Sequence, residues 1–120
     1  MADHNETGFK GEELAEKYLR NAGYEILEKN WHFSHNEIDI IAKDGDFLVI
    51  VEVKTRRTSN FGEPEEFVNR SKQRSLIAAA NGYILKKNLD LEVRFDIISV
   101  LYNGSSYTVK QIKDAFYPRL

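Results

Sequence analysis

No cysteine occurs anywhere in the 120 residues. That removes disulfide cross-links, thiolate nucleophiles and thiolate zinc sites together, and it fits a cytoplasmic chain. Long apolar runs are missing too. The longest, Phe47 to Val51, has the length of a buried strand, far short of the ~18 residues that a membrane span needs. Met1 to Glu6 carries acids and no apolar stretch, so no secretory leader is expected there. Nor is there a basic excess: the net charge is -2 and the sequence pI about 5.9. Nucleic-acid modules are usually basic overall, so bulk electrostatic attraction to nucleic acid is not expected. Phosphate-binding glycine loops and dinucleotide fingerprints are absent. His4, His32 and His35 show no metal-ligand spacing with a carboxylate, and only His35 lies near an acid of interest.

What is present is an ordinary globular composition, 42% hydrophobic and 30% charged. The length suits one domain spanning residues 1–120. Beyond a frayed tail over residues 1 to 7, apolar residues at Leu14, Ala15, Tyr18, Leu19 and Ala22 recur at helical spacing, predicting a helix from about Phe9 that stops at Gly23. Tyr24 to Phe33 reads as an edge strand, with Tyr24, Trp31 and Phe33 as core aromatics. Glu37 to Ala42 and Phe47 to Lys54 read as two further strands, joined by a tight turn at Lys43-Asp44-Gly45-Asp46. The near-continuous apolar character of Phe47 to Val53 implies cover on both faces. A loop over Arg56 to Pro64 leads to a long helix from Glu65 to about Lys87, weakened or bent at Gly82. Two strands follow, Glu92 to Leu101 and Tyr107 to Ile112, linked at Asn103-Gly104 by what reads as a type I′ turn, and a short tail lies near Ala115 to Tyr117. The fold class is therefore α/β, a mixed central β-sheet flanked by helices in the order α-β-β-β-α-β-β. A strand returned through a helix requires at least one parallel pair.

Within the third strand, Leu48, Ile50, Glu52 and Lys54 share one face. An acid and a lysine at the end of an apolar strand are costly to bury, unless that end is exposed or meets a cation and an anionic substrate. The hairpin at Gly45 places Asp39 across from Val51 or Glu52, so the two carboxylates converge. Unaided they repel, and one tends to keep its proton. Mg2+ or Mn2+ relieves that conflict, since both favour carboxylate oxygens, water and substrate phosphates. On this reading Asp39 and Glu52 hold the ion with the carbonyl of Val53. Lys54 then sits against the phosphate.

Glu12 reads either as an ordinary first-turn helix acid or as a third carboxylate aimed at the metal, with Gly8 and Gly11 permitting close backbone approach. Lys72 and Gln73 face either solvent or the site. From Lys54 to Arg74 the basic residues Lys54, Arg56, Arg57, Arg70, Lys72 and Arg74 outnumber the acids Glu63, Glu65 and Glu66. Such a patch either engages phosphates or forms a solvated face.

The ordered set Gly8-x-x-Gly11-Glu12-x-x-Ala15, Glu37-Ile38-Asp39, Val51-Glu52-Val53-Lys54-x-Arg56, Phe61-Gly62-x-Pro64-x-Glu66 and Lys72-Gln73 resembles the bacterial YraN-like family. That family looks like a branch of the restriction-endonuclease-like superfamily, nearest in pattern to the archaeal Holliday-junction resolvases. The match spans nearly the whole chain, and Asp96 belongs to it. The resemblance implies a nuclease core with Glu12, Asp39, Glu52 and Lys54 at the centre and Gln73 assisting. It also implies a dimer, branched DNA as substrate, and magnesium or manganese as cofactor. Asn36 stands where the family usually has Gly; Asn tolerates turn geometry, so the fold is expected to survive the change. Two other readings keep the fold without the chemistry: a non-catalytic nucleic-acid binding module, and a protein-interaction module.

Overall fold

The computed structural model describes residues 2–57 and 68–116, with side chains from Lys10 onward. Helix α1 spans Ala2–Asn21, and strands β1, β2 and β3 span Glu25–Phe33, Asn36–Asp44 and Phe47–Arg56. Helix α2 spans Arg70–Lys87, followed by β4 over Glu92–Tyr102 and β5 over Tyr107–Phe116. The strands form one sheet in the order β1-β2-β3-β4-β5. Every neighbouring pair is antiparallel except β3 with β4, the pair that α2 connects. This is the mixed sheet and element order of a restriction-endonuclease-like core, and β1 is an edge strand as its mixed composition predicts.

Local chemistry sets the element ends. α1 stops where Gly23 adopts φ +94, which lets the Tyr24 N–H reach back to Leu19 O at 3.0 Å. α2 opens on Asn69, whose Oδ1 accepts the Lys72 N–H at 2.9 Å, and closes on left-handed Asn88. Gly45, at φ +59, makes the β2–β3 connection tight enough that Asp44 pairs with Phe47.

Several boundaries differ from the sequence reading. α1 begins at Ala2, not near Phe9, so Glu12 lies well inside the helix and is not a first-turn acid. α2 begins at Arg70, because Asn69 is extended (ψ 174) and caps the helix. The loop beyond Arg57, the Phe61-Gly62-x-Pro64-x-Glu66 motif and the expected helix start at Glu65 lie outside the described residues, as does the side of α1 around His4 and Gly8. Gly82 does not interrupt α2. It is buried under the Phe33 ring, which a Cβ there would overlap. The β4–β5 connection is not a two-residue turn: Tyr102 pairs with Tyr107, and Asn103 Oδ1 gathers the N–H groups of Ser105 and Ser106 at 3.0 and 2.9 Å. β5 continues past Ile112 to Phe116 after a register shift.

Each face of the sheet carries its own core. Leu48 and Ile50 pack under α2 with Ile38, Leu76, Ala80 and Tyr83. Val49 and Val51 pack under α1 with Ala15, Leu19, Ile40 and Val100. β3 is thus covered on both sides, the reason for its unbroken apolar run. Trp31 joins the α2 core and Tyr24 the α1 core.

Asp96, which has no solvent exposure, is neutralised by a fork from Arg94, whose Nε and Nη2 each donate at 3.0 Å. It also accepts from Gln111 Nε2 at 2.9 Å and from the Asp114 N–H at 3.0 Å. Arg94 reaches on to Asp44 and to the Tyr24 hydroxyl. A buried charge so fully bonded holds strands together rather than performing chemistry.

Candidate functional site

The β2–β3 ladder ends at the Ile40–Val51 pair. One step further the register sets Asp39 beside Glu52, but the backbones no longer pair there. The Val53 N–H instead donates to Asp39 Oδ2 at 2.8 Å. The strands part at this point, and a carboxylate occupies the gap. On the other side of β2, Asn30 of β1 stands opposite Asp39, between the Lys29–Ile40 and Trp31–Ile38 pairs.

Glu52 shares the α2 face of β3 with Leu48 and Ile50, and is only 5% exposed. Two lysines approach its Oε2: Lys54 at 3.6 Å, from two residues along the strand, and Lys72 at 3.7 Å, from the first turn of α2. Both distances are those of ion pairs rather than hydrogen bonds. Glu52 Oε1 is buried and receives no hydrogen bond. Burial, followed by repulsion from Glu52, pushes the Asp39 carboxyl up to about 8. The pair is close enough to share a proton, the behaviour of two acids confined together.

Glu12 arrives from α1. Gly11 is buried against Thr55 of β3, where any Cβ would collide with the threonine side chain; the missing side chain is what lets the helix lie so close. Burial raises the Glu12 carboxyl, with smaller contributions from Glu37 and Glu52, while a hydrogen bond from Asn30 opposes the rise. With its amide turned so that nitrogen faces the acids, Asn30 donates to Glu12 Oε1 and to Glu37 Oε1, each at 3.0 Å. Glu37 also faces His32 across the β1–β2 ladder, at 3.6 Å.

The fold therefore brings Asp39, Glu52, Lys54 and Lys72 together at the parted ends of β2 and β3, with Glu12 near enough for its charge to act on both acids. Other candidates lie differently. Gln73 sits one residue beyond Lys72, but its Nε2 donates to Val68 O at 3.0 Å. Arg56 Nη1 donates to Thr55 O at 2.9 Å. Arg57, Arg70 and Arg74 are exposed on the same run of chain. His35 lies in the β1–β2 turn and is exposed. Among the described residues, no three Asp, Glu, His or Cys side chains are disposed together to hold a metal ion. The donor chemistry nevertheless suits a hard divalent cation, because an orphaned buried carboxylate oxygen sits beside an acid whose ionisation is opposed by burial and then by its neighbour. Asn30 and Glu37 were not singled out from sequence as parts of this cluster. The one signal for Asn30 was an asparagine inside a strand, the residue type that best tolerates left-handed backbone, and it does adopt φ 50.

Comparison with known proteins agrees with the YraN-like pattern. Residues 11–100 match the model of "Uncharacterised protein family UPF0102". A UPF0102 protein of Christiangramia forsetii is 50% identical, covering 98% of both chains. Another, from Flavobacterium psychrophilum, is 48% identical over the same share, and one from Phocaeicola vulgatus is 45% identical, again over 98% of each. The carboxylate pair, Gly11, Lys54 and Lys72 all fall inside the matched segment, and the chain belongs to the UPF0102 family.

Proposed function

We propose that this protein is a divalent-metal-dependent phosphodiesterase that cleaves DNA, with branched or otherwise structured DNA as its substrate. One observation carries the reading: Glu52, buried and with one oxygen lacking any donor, lies against Asp39 and beneath two lysines. An apolar alternative at position 52 would avoid the cost of burying this charge, so the arrangement makes physical sense where a cation and a phosphate complete it. Asp39, Glu52 and the Val53 carbonyl would hold Mg2+ or Mn2+, with Glu12 on the open side. A bound ion of this kind polarises a phosphodiester and lowers the pKa of attacking water. Lys54 and Lys72 neutralise charge that builds on the phosphate as the bond to the leaving oxygen breaks. A cation held there would offset the repulsion between Asp39 and Glu52, so that both would bind it in their ionised forms. Gln73 assists from the first turn of α2. Arg56, Arg57, Arg70 and Arg74 take neighbouring phosphates along the strand.

Glu52→Gln keeps the shape and removes the charge. Cleavage of a branched duplex in Mg2+ or Mn2+ is expected to fall on the order of 10²–10³-fold in this variant, while binding of the same duplex in EDTA persists. Wild-type protein that binds the duplex yet leaves it intact with either metal would sink the enzymatic reading. It would favour the second one, a non-catalytic nucleic-acid module. The observation on that side is that, among the described residues, no three Asp, Glu, His or Cys side chains are disposed together to hold a metal ion.

A further inference from the structure

Beyond Glu52 the register of the sheet sets out successive rows that cross three strands. Glu52 pairs with Ile97, and Ile97 with Ile112. The next row on that face is Lys54, Ser99 and Lys110, and the one after it is Arg56, Leu101 and Thr108. Ile97 and Ile112 both belong to the core under α2. The two-residue alternation of strands therefore puts Ser99 and Lys110 on the α2 face, with Lys54. Ser99 is small and buried, whereas Lys110 is exposed. Lys110 stands two strand spacings from Lys54, about 10 Å, with a serine between them on the sheet.

Charge at this corner has one sign. Every charged residue within 53–57 and 98–111 is basic: Lys54, Arg56, Arg57 and Lys110. Lys72 joins them from the first turn of α2. At the other end of the same strands, the β2–β3 turn and the approach to β4 carry Asp44, Asp46, Asp90 and Glu92 beside Lys43. The acidic total of the chain thus hides a sheet polarised along its strands. Like charges gathered at one corner repel each other, and a polyanion laid across them relieves that repulsion.

We propose that Lys110 contacts the DNA backbone, so that the bound strand runs from Glu52 across β3 and β4 to β5. This rests on the function proposed above and adds to it the direction that the substrate takes. A phosphodiester chain repeats its charge along a path, and the cations here are spread along one, from Lys72 and Lys54 out to Lys110. Phosphate contacts fix register and orientation without reading sequence, which suits a substrate selected by its shape.

The test is fluorescence anisotropy of a labelled branched duplex in EDTA at a series of NaCl concentrations. It compares wild type with Lys110→Ala, Lys110→Arg and Lys43→Ala, the last an exposed lysine at the acid-rich end. Lys110→Ala is expected to weaken binding alike for duplexes of different sequence. It is also expected to reduce the slope of log affinity against log salt by about 0.9, the loss of one phosphate contact. Lys110→Arg should restore the slope, and Lys43→Ala should leave it as in wild type. An unchanged slope in Lys110→Ala, or an equal loss in Lys43→Ala, would overturn the role of Lys110 while leaving the proposed function standing. Wild type that binds polyglutamate but not the duplex would overturn both, in favour of an acidic polypeptide at this corner.

Discussion

Asp39 and Glu52 meet where backbone pairing between their strands has ended, and a single N–H, that of Val53, is donated to the pair. This has a consequence for pH. The Asp39 carboxyl rises from an ordinary 3.8 to about 8 because burial and Glu52 both oppose its charge. Between those values the folded chain binds a proton that the unfolded chain has released, so the stability due to this group is present at low pH and lost as pH rises through the window. Asp39→Asn mimics the protonated form. Relative to that variant, wild type is expected to lose on the order of 2 kcal/mol between pH 5 and pH 8 in EDTA, measured by urea unfolding. Added Mn2+ is expected to return part of that loss at pH 8. A difference between the two proteins that stays constant across this range would contradict the shared-proton description. At this scale the sequence was informative about Asp39 and Glu52, because a two-residue turn at Gly45 determines which side chains face each other several residues away. It was silent on Asn30 and Glu37, whose contact with Glu12 depends on how α1 lies over the sheet.

Among the elements, the strands were read closely and the helix starts were not. Period-two patterning and glycine turns mark strand ends locally, whereas α2 begins where Asn69 can cap it, several residues after helix-compatible sequence at Glu65. α1 extends toward the N-terminus through polar residues that carry no apolar periodicity. Gly82 looked like a weak point by propensity, yet its role is set by packing, since the Phe33 ring occupies the space a side chain would need. The second half of β5 was missed for a related reason. Left-handed Asp114 breaks the alternation, and its N–H is taken up by buried Asp96. That carboxylate therefore holds the irregular part of β5 in place and neutralises Arg94. Asp96→Ala leaves Arg94 with Asp44 as its remaining acid and orphans the Asp114 N–H and the Gln111 amide, and is expected to cost about 3 kcal/mol, read from thermal or urea unfolding. Asp96→Asn, which retains some of the hydrogen bonds, is expected to cost less.

For the whole molecule, the acidic balance was a fair reading of composition but a poor guide to local field. The charge is sorted: Lys54 and Lys72 converge on Glu52, while Arg57, Arg70 and Arg74 are exposed nearby. We propose that two copies pair so that these runs form a wider basic channel, as a branched duplex would need. Equilibrium sedimentation is expected to show a dimer at tens of micromolar protein, and DNA affinity to fall steeply as salt is raised; monomer alone at high concentration would remove the channel. The strand order β1-β2-β3-β4-β5 also bears on how the chain reaches its native state. The β1–β2, β2–β3 and β4–β5 pairs close through short turns, whereas β3 pairs with β4 only across the long connection through α2, so loop-closure entropy favours the hairpins over that one long-range pairing. The carboxylate pair belongs to the second of these hairpins, whose short closure brings two mutually repelling acids together without waiting on the β3–β4 pairing. Protonation of Asp39 is therefore expected to speed folding as well as stabilise the product, read from refolding rates between pH 5 and pH 8 in EDTA.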